Sequence, residues 1–218
     1  MTFENLVAAA QTYFPNLQVK YKDQSPIMKI LGSLLFFNHD FMVSYTTTIG
    51  ESVYFPTSTF VKSRPVSSAI VLLHELVHVH DENKISKLLF GFLYLFPQIL
   101  SILCLPLFFL LTWKLVLPII IICALPVPAF FRMYLEKRAY FASLYCLNTL
   151  SKKLNFSSNL DNQSIFFQTQ FAGAYYYYMW PFNNIKKDFD QAVVKIKADQ
   201  RPYDDAVFDM LDDLVSKV

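Results

Sequence analysis

His74 and His78 stand four residues apart, with Glu75 between them, in the run His74-Glu75-Leu76-Val77-His78. The surrounding residues 68–79 are mostly apolar and predict a helix. On a helix, residues four apart share a face, so both imidazoles can reach one metal ion. Glu75 then stands beside that ion as a carboxylate able to take a proton from water. The chemistry implied is zinc-assisted hydrolysis, with Zn2+ as cofactor.

A catalytic zinc site takes a third protein ligand and keeps one position open. Residues 84–159 contain no His, no Asp and a single Glu, Glu136. It sits among Arg132, Lys137 and Arg138 in a stretch that reads as helical to about residue 150. Glu136 is therefore the candidate third ligand; the alternative is a surface carboxylate paired with Lys137 or Arg138. Asp81 follows His78 by three residues, on the ligand side. It either orients a ligand imidazole through a hydrogen bond or faces solvent. His80 is out of register with His74 and His78 and reads as a surface or interfacial residue. His39 lies in a predicted turn at residues 38–40 and reads as a loop histidine, with help to a transition state as the alternative.

These residues need a frame, and composition says where it stands. The chain has 218 residues, 54 % of them hydrophobic and only 17 % charged, well below the usual quarter. Residues 88–113 carry no charge and are long enough to span a bilayer. Lys114 follows, and residues 115–131 are again uncharged. The pattern predicts a membrane hairpin with its tip near Trp113-Lys114, kinked by Pro97, Pro106, Pro118, Pro126 and Pro128. Lys84, Lys87, Arg132, Lys137 and Arg138 flank its base, which the positive-inside rule places in the cytoplasm. The lipid bilayer is thus an expected partner. A net charge of +2 argues against nucleic acid. The early Glu4 and the lack of a basic start argue against a signal peptide. Cys104, Cys123 and Cys146 suggest neither a disulfide framework nor a cysteine zinc site.

The other segments read as helices and a little sheet. Residues 2–14 predict an amphipathic helix ended by Pro15, and residues 17–21 a strand. Ser25-Pro26 opens a helix to about residue 37. Residues 41–48 and 52–55 predict a β-hairpin around Ile49-Gly50-Glu51, whose edge could pair with a peptide substrate or be purely structural. Ser63 is the expected cap of a site helix starting at Pro65 and ending near Glu82-Asn83. Residues 151–163 predict a loop. Helices are expected over 164–172, 189–197 and 203–218. The aromatic run 175–180 reads as an interfacial or core cluster.

In order, an H-E-x-x-H helix, two apolar spans and a basic helix bearing Glu136-Lys137-Arg138-Ala139 resemble the membrane-embedded gluzincin peptidases. Within that group they resemble the heat-shock integral-membrane protease and, more distantly, the CAAX prenyl-protein endopeptidase. The motif helix also resembles that of the antibiotic-sensing membrane peptidases. The resemblance covers roughly residues 65–150. It implies His74, His78 and Glu136 as zinc ligands, Glu75 as general base, and a peptide or membrane-protein substrate. Two features depart from the family. Tyr140 stands where an Asp usually buttresses a histidine, leaving Asp81 as the substitute. No apolar segment long enough to span precedes the motif. The extended third His of metzincins is absent after His78.

The expected fold is mainly α with a small β element (α+β). A gluzincin-like domain would be formed by residues 1–87 and 132–218, interrupted by the hairpin at 88–131. The expected function is zinc-dependent peptide hydrolysis at the cytoplasmic membrane face. The alternatives are an inactive membrane adaptor that keeps the fold, and a membrane-perturbing protein that works through its hairpin.

Overall fold

The computed structural model describes residues 2–36, 38, 40–109, 111–125, 127–173 and 178–217, the side chains of Phe108 and Ala124 aside. His39 and most of the aromatic run, Tyr175 to Tyr177, lie outside the described residues. The protein is mainly helical, with helix over 67 % and strand over 5 % of the chain.

The N-terminal third follows local capping rules. Thr2 accepts the backbone N–H of Asn5 and starts α1, Phe3–Ala10. Strand β1, Gln18–Tyr21, comes next. Ser25 caps α2, Pro26–Leu34, with proline in its first turn as expected. The hairpin is shorter than predicted: β2 is Thr47–Ile49 and β3 is Ser52–Phe55, and residues 41–44 form turns instead. Gly50 takes φ 59°, a conformation that a two-residue hairpin loop requires and glycine adopts freely. β3 is central, paired antiparallel with β2 and parallel with β1. The parallel partner joins residues 34 positions apart, which strand patterning could not reveal.

The site helix α4, Pro65–Ile85, begins where proline predicts, but Ser63 is not its cap. Thr57 starts a short helix α3, Ser58–Ser63, and the Ser63 hydroxyl closes it by donating to the Phe60 carbonyl at 3.1 Å. α4 is buried on nearly all sides between Ser68 and Glu82, as a helix in the middle of a core must be. Its main neighbour is α8, Phe130–Lys153. Ala69, Leu72, Leu73, Leu76 and Val77 meet Ala139, Ala142 and Cys146 in one core that also takes in α1, the sheet and the C-terminal helix. The small residues of α8 let the two backbones approach closely, which is what brings side chains on both helices to a common point.

The opposite face of α8 serves a second core through Met133, Tyr140, Phe141 and Leu144. Among the described residues three later helices follow. Asn159 caps α9, Leu160–Ala172, so the predicted loop over 151–163 is shorter by three residues at its start, which belong to α8, and by four at its end, which belong to α9. α10 is Asn184–Lys197. α11, Ala206–Ser216, is capped by Asp205.

Between α4 and α8 the apolar stretch is broken rather than continuous. Ser86 turns the chain at φ 94° and caps α5, Lys87–Leu95, by accepting from Leu89 N–H. α6 is Ile99–Leu103, followed by a 3₁₀ turn over Leu105–Phe109, and α7 is Trp113–Ala124 with Pro118 inside it. Pro97 and Pro106 fall at the breaks, because each removes an N–H and crowds the preceding turn. Among the described residues no single helix is long and apolar enough to cross a membrane. The helix pair spanning Lys87–Leu95 and Ile99–Leu107 has the length and composition together but bends by 106°. Its surface is strongly apolar: Leu88 is 89 % and Phe109 92 % exposed.

Candidate metal centre

Helical spacing places His74, His78 and Asp81 along α4, and Glu136, Ala139, Tyr140 and Ser143 along one face of α8. Packing of α4 on α8 brings Glu136 between the two histidines. His74 Nε2 lies 3.3 Å from Glu136 Oε2, and His78 Nε2 lies 3.4 Å from Oε1. One ligand atom from each residue falls within 4.8 Å of the others. Glu136 is 1 % exposed, so it is not the surface carboxylate that was the alternative. Its sequence neighbours pair elsewhere: Lys137 with Asp188 at 2.6 Å, and Arg138 with Asp81 and Asp205.

The residues present fit a metal ion. His78 Nδ1, His78 Nε2 and Glu136 Oε2 are buried without a hydrogen-bond partner, an arrangement that costs free energy unless something else binds them. The donor set, two imidazoles and one carboxylate, suits zinc and other divalent transition metals. Without an ion the three groups compensate one another. Burial disfavours a charged His78, but the Glu136 carboxylate beside it outweighs this and raises the imidazole to about 9. Burial likewise pushes Glu136 up, but His78 and His74 hold it well below the ordinary carboxylate range. A metal that binds there must displace the proton carried by His78.

Further groups complete the centre, and apart from Tyr140 the sequence did not single them out. Ser143 donates its hydroxyl proton to the Ala139 carbonyl at 3.1 Å, so its oxygen accepts from His74 Nδ1 at 3.2 Å. That fixes the tautomer with Nε2 of His74 directed at Glu136. Tyr140, where the family resemblance expects Asp, lies edge-on to His74 with ring centroids 4.8 Å apart. Thr48 on β2 donates to Glu75 Oε2 at 2.7 Å. Tyr94 on α5 donates to Glu136 Oε1 at 2.5 Å. Lys22 is fully buried, donates to the Phe41 carbonyl at 2.7 Å and sits in the field of Glu75. Desolvation lowers its ammonium to about 8, with Glu75 opposing. Ser143 was findable, since it stands two helical turns after Glu136. Thr48, Tyr94 and Lys22 arrive from other elements and have no local signal.

Asp81 does not meet either candidate ligand imidazole, His74 or His78. Its carboxylate meets Arg138 and, at 3.3 Å, His80 Nδ1, while Arg138 reaches on to Asp205 at 2.8 Å. It therefore ties α4 to α8 and to the cap of α11. Burial would raise its pKa, but the bonds from His80 and Arg138 win and lower it. A lowered folded-state pKa means that its stabilisation is present above the unfolded value of about 3.9 and disappears as pH falls through the folded value. Asp81→Asn should thus cost about 1–3 kcal/mol at neutral pH, less than a fully buried pair because Arg138 keeps Asp205. The gap to wild type in denaturant midpoint should narrow on acidification; a gap unchanged down to about pH 3 would refute the ion-pair origin.

No family model matches the chain, and no curated protein or solved structure matches it significantly. Fold and site together define a mainly α-helical protein with a buried His-His-Glu cluster able to hold a metal.

Proposed function

We propose that this protein is a zinc-dependent peptidase of the gluzincin type that works at the cytoplasmic face of a membrane. The observation that carries the proposal is the convergence of His74, His78 and Glu136 around a point beside Glu75. When bound there, zinc supplies Lewis acidity to a water molecule and to a scissile carbonyl. Glu75 accepts the proton of that water and passes it to the leaving amine. Thr48 occupies one Glu75 oxygen and so orients the other for transfer. β2 is an edge strand packed near α4, and its unpaired side offers main-chain groups to an extended peptide. Chelation of the purified protein should abolish hydrolysis of an unstructured polypeptide, and zinc should restore it. Hydrolysis that survives complete removal of metal would exclude this reading.

Membrane association rests on the uncharged, exposed apolar surface of residues 88–113 and 115–125. In a background lacking Cys104, Cys123 and Cys146, Ser63→Cys and Ser157→Cys should label only from the cytoplasmic side. Lys114→Cys should label from the opposite side. Recovery of the protein in the soluble fraction without detergent would remove the membrane from the proposal.

A second reading is favoured by the degree of burial. His74, Glu75 and His78 are 7 %, 8 % and 6 % exposed, so a substrate enters only if an element moves aside. A closed centre of this kind suits a structural metal in a non-catalytic adaptor.

A further inference from the structure

The third ligand is not held by the helix pair alone. Glu136 Oε1 accepts the Tyr94 phenol at 2.5 Å, while Oε2 is buried and without a hydrogen-bond partner. A carboxylate with one oxygen engaged by a strong donor offers a metal the other. Tyr94 is itself fixed from two sides. Its ring stacks on Phe90, with centroids 6.0 Å apart and planes at 17°. Arg132, in the first turn of α8, donates from Nε to the Tyr94 carbonyl at 2.7 Å and from Nη2 to Gln98 Oε1 at 3.2 Å. A guanidinium on a carbonyl of the last turn of α5 is a favourable place for a cation. Arg132 is buried, so it acts as a clamp on α5 and not as a free charge flanking a membrane segment.

We propose that Tyr94 is a positioning residue of the metal centre: by occupying Oε1 it presents Oε2 of Glu136 as a single ligand oxygen to the ion. Because Tyr94 belongs to the apolar segment, docking of α5 on α8 is part of assembling the site. The inference rests on the metal-binding reading above and deepens it. Hydrogen-bond partners of metal ligands typically change metal affinity about 10–100-fold when removed.

The test uses the full-length protein in detergent and two readouts, zinc affinity by chelator competition and the visible spectrum of the cobalt-substituted form. Tyr94→Phe removes only the hydroxyl and keeps the ring. It should weaken zinc by about 10–100-fold and change the cobalt bands as both carboxylate oxygens become available. Phe96→Leu disturbs the packing of α5 on α8 at a ring that meets Phe92 and Phe131 rather than a ligand imidazole, and its cobalt spectrum should match wild type. Wild-type affinity and spectrum in Tyr94→Phe would overturn the inference while leaving the centre itself standing. An equal spectral change in Phe96→Leu would also overturn it, since packing and not the hydrogen bond would then set the ligand. Absence of metal binding in the wild-type protein would instead refute the metal-binding reading on which it depends.

Discussion

Glu75→Gln should leave metal content and fold intact and lower peptide hydrolysis by about 10²–10⁴-fold, the usual contribution of a general base. The substitution is nearly isosteric. The amide oxygen of Gln can still accept the Thr48 hydroxyl that now meets Glu75 Oε2 at 2.7 Å, so β2 stays fastened to α4. Glu75 is not among the groups that converge on the metal position, so the ligand set is untouched. What is lost is the site that accepts the proton, together with a negative charge in a poorly solvated place. Metal content, thermal stability and turnover should be measured on the same preparation. A variant with full turnover would remove Glu75 from the chemistry. A variant that retains full biological function while His74→Ala loses it would favour the structural-metal, adaptor reading.

The paired substitution His74→Ala/His78→Ala should reduce bound metal from about one ion per chain to background, because a lone carboxylate is a weak site for zinc. It should also destabilise the fold. Glu136 is 1 % exposed, and the two imidazoles are the partners that keep its charge tolerable there. Removing both leaves a buried carboxylate with only the Tyr94 hydroxyl, at a cost of about 3–5 kcal/mol for an unpaired buried charge. Adding Glu136→Gln should recover part of that stability without recovering metal, which separates the two effects. His80→Ala is the control: His80 pairs with Asp81 at 3.3 Å and lies off the ligand face, so metal content should not change. Equal metal in the double mutant and the wild type would refute the centre.

Spacing and local chemistry determined much of this protein. The interval between His74 and His78 put both imidazoles on one helix face, since a helix turns every 3.6 residues whatever surrounds it. Pro26 and Pro65 set the starts of α2 and α4, as their rings fix φ and need no N–H partner there. Scarcity pointed to Glu136, the single acidic residue in a long basic and apolar stretch, and packing placed it between the histidines. The short hairpin was legible from its β-branched residues and Gly50.

Tertiary structure decided the rest, because the relevant partners are distant in the chain. The role of Asp81 was undecidable from its position on the ligand side, since Arg138 of α8 competes for the same carboxylate and wins it through charge and geometry. Residues 88–113 predicted one spanning arm kinked at its prolines, but the chain breaks there into several short helices with a 106° bend. Docking of α5 on α8 brings Tyr94 to Glu136, 42 residues away, and the hairpin brings Thr48 to Glu75, 27 residues away. Hydrogen bonds of this kind leave no periodic trace in a sequence. They depend on where a packed core holds two backbones, and small residues such as Ala139 and Ala142 set that distance only once α4 lies against them.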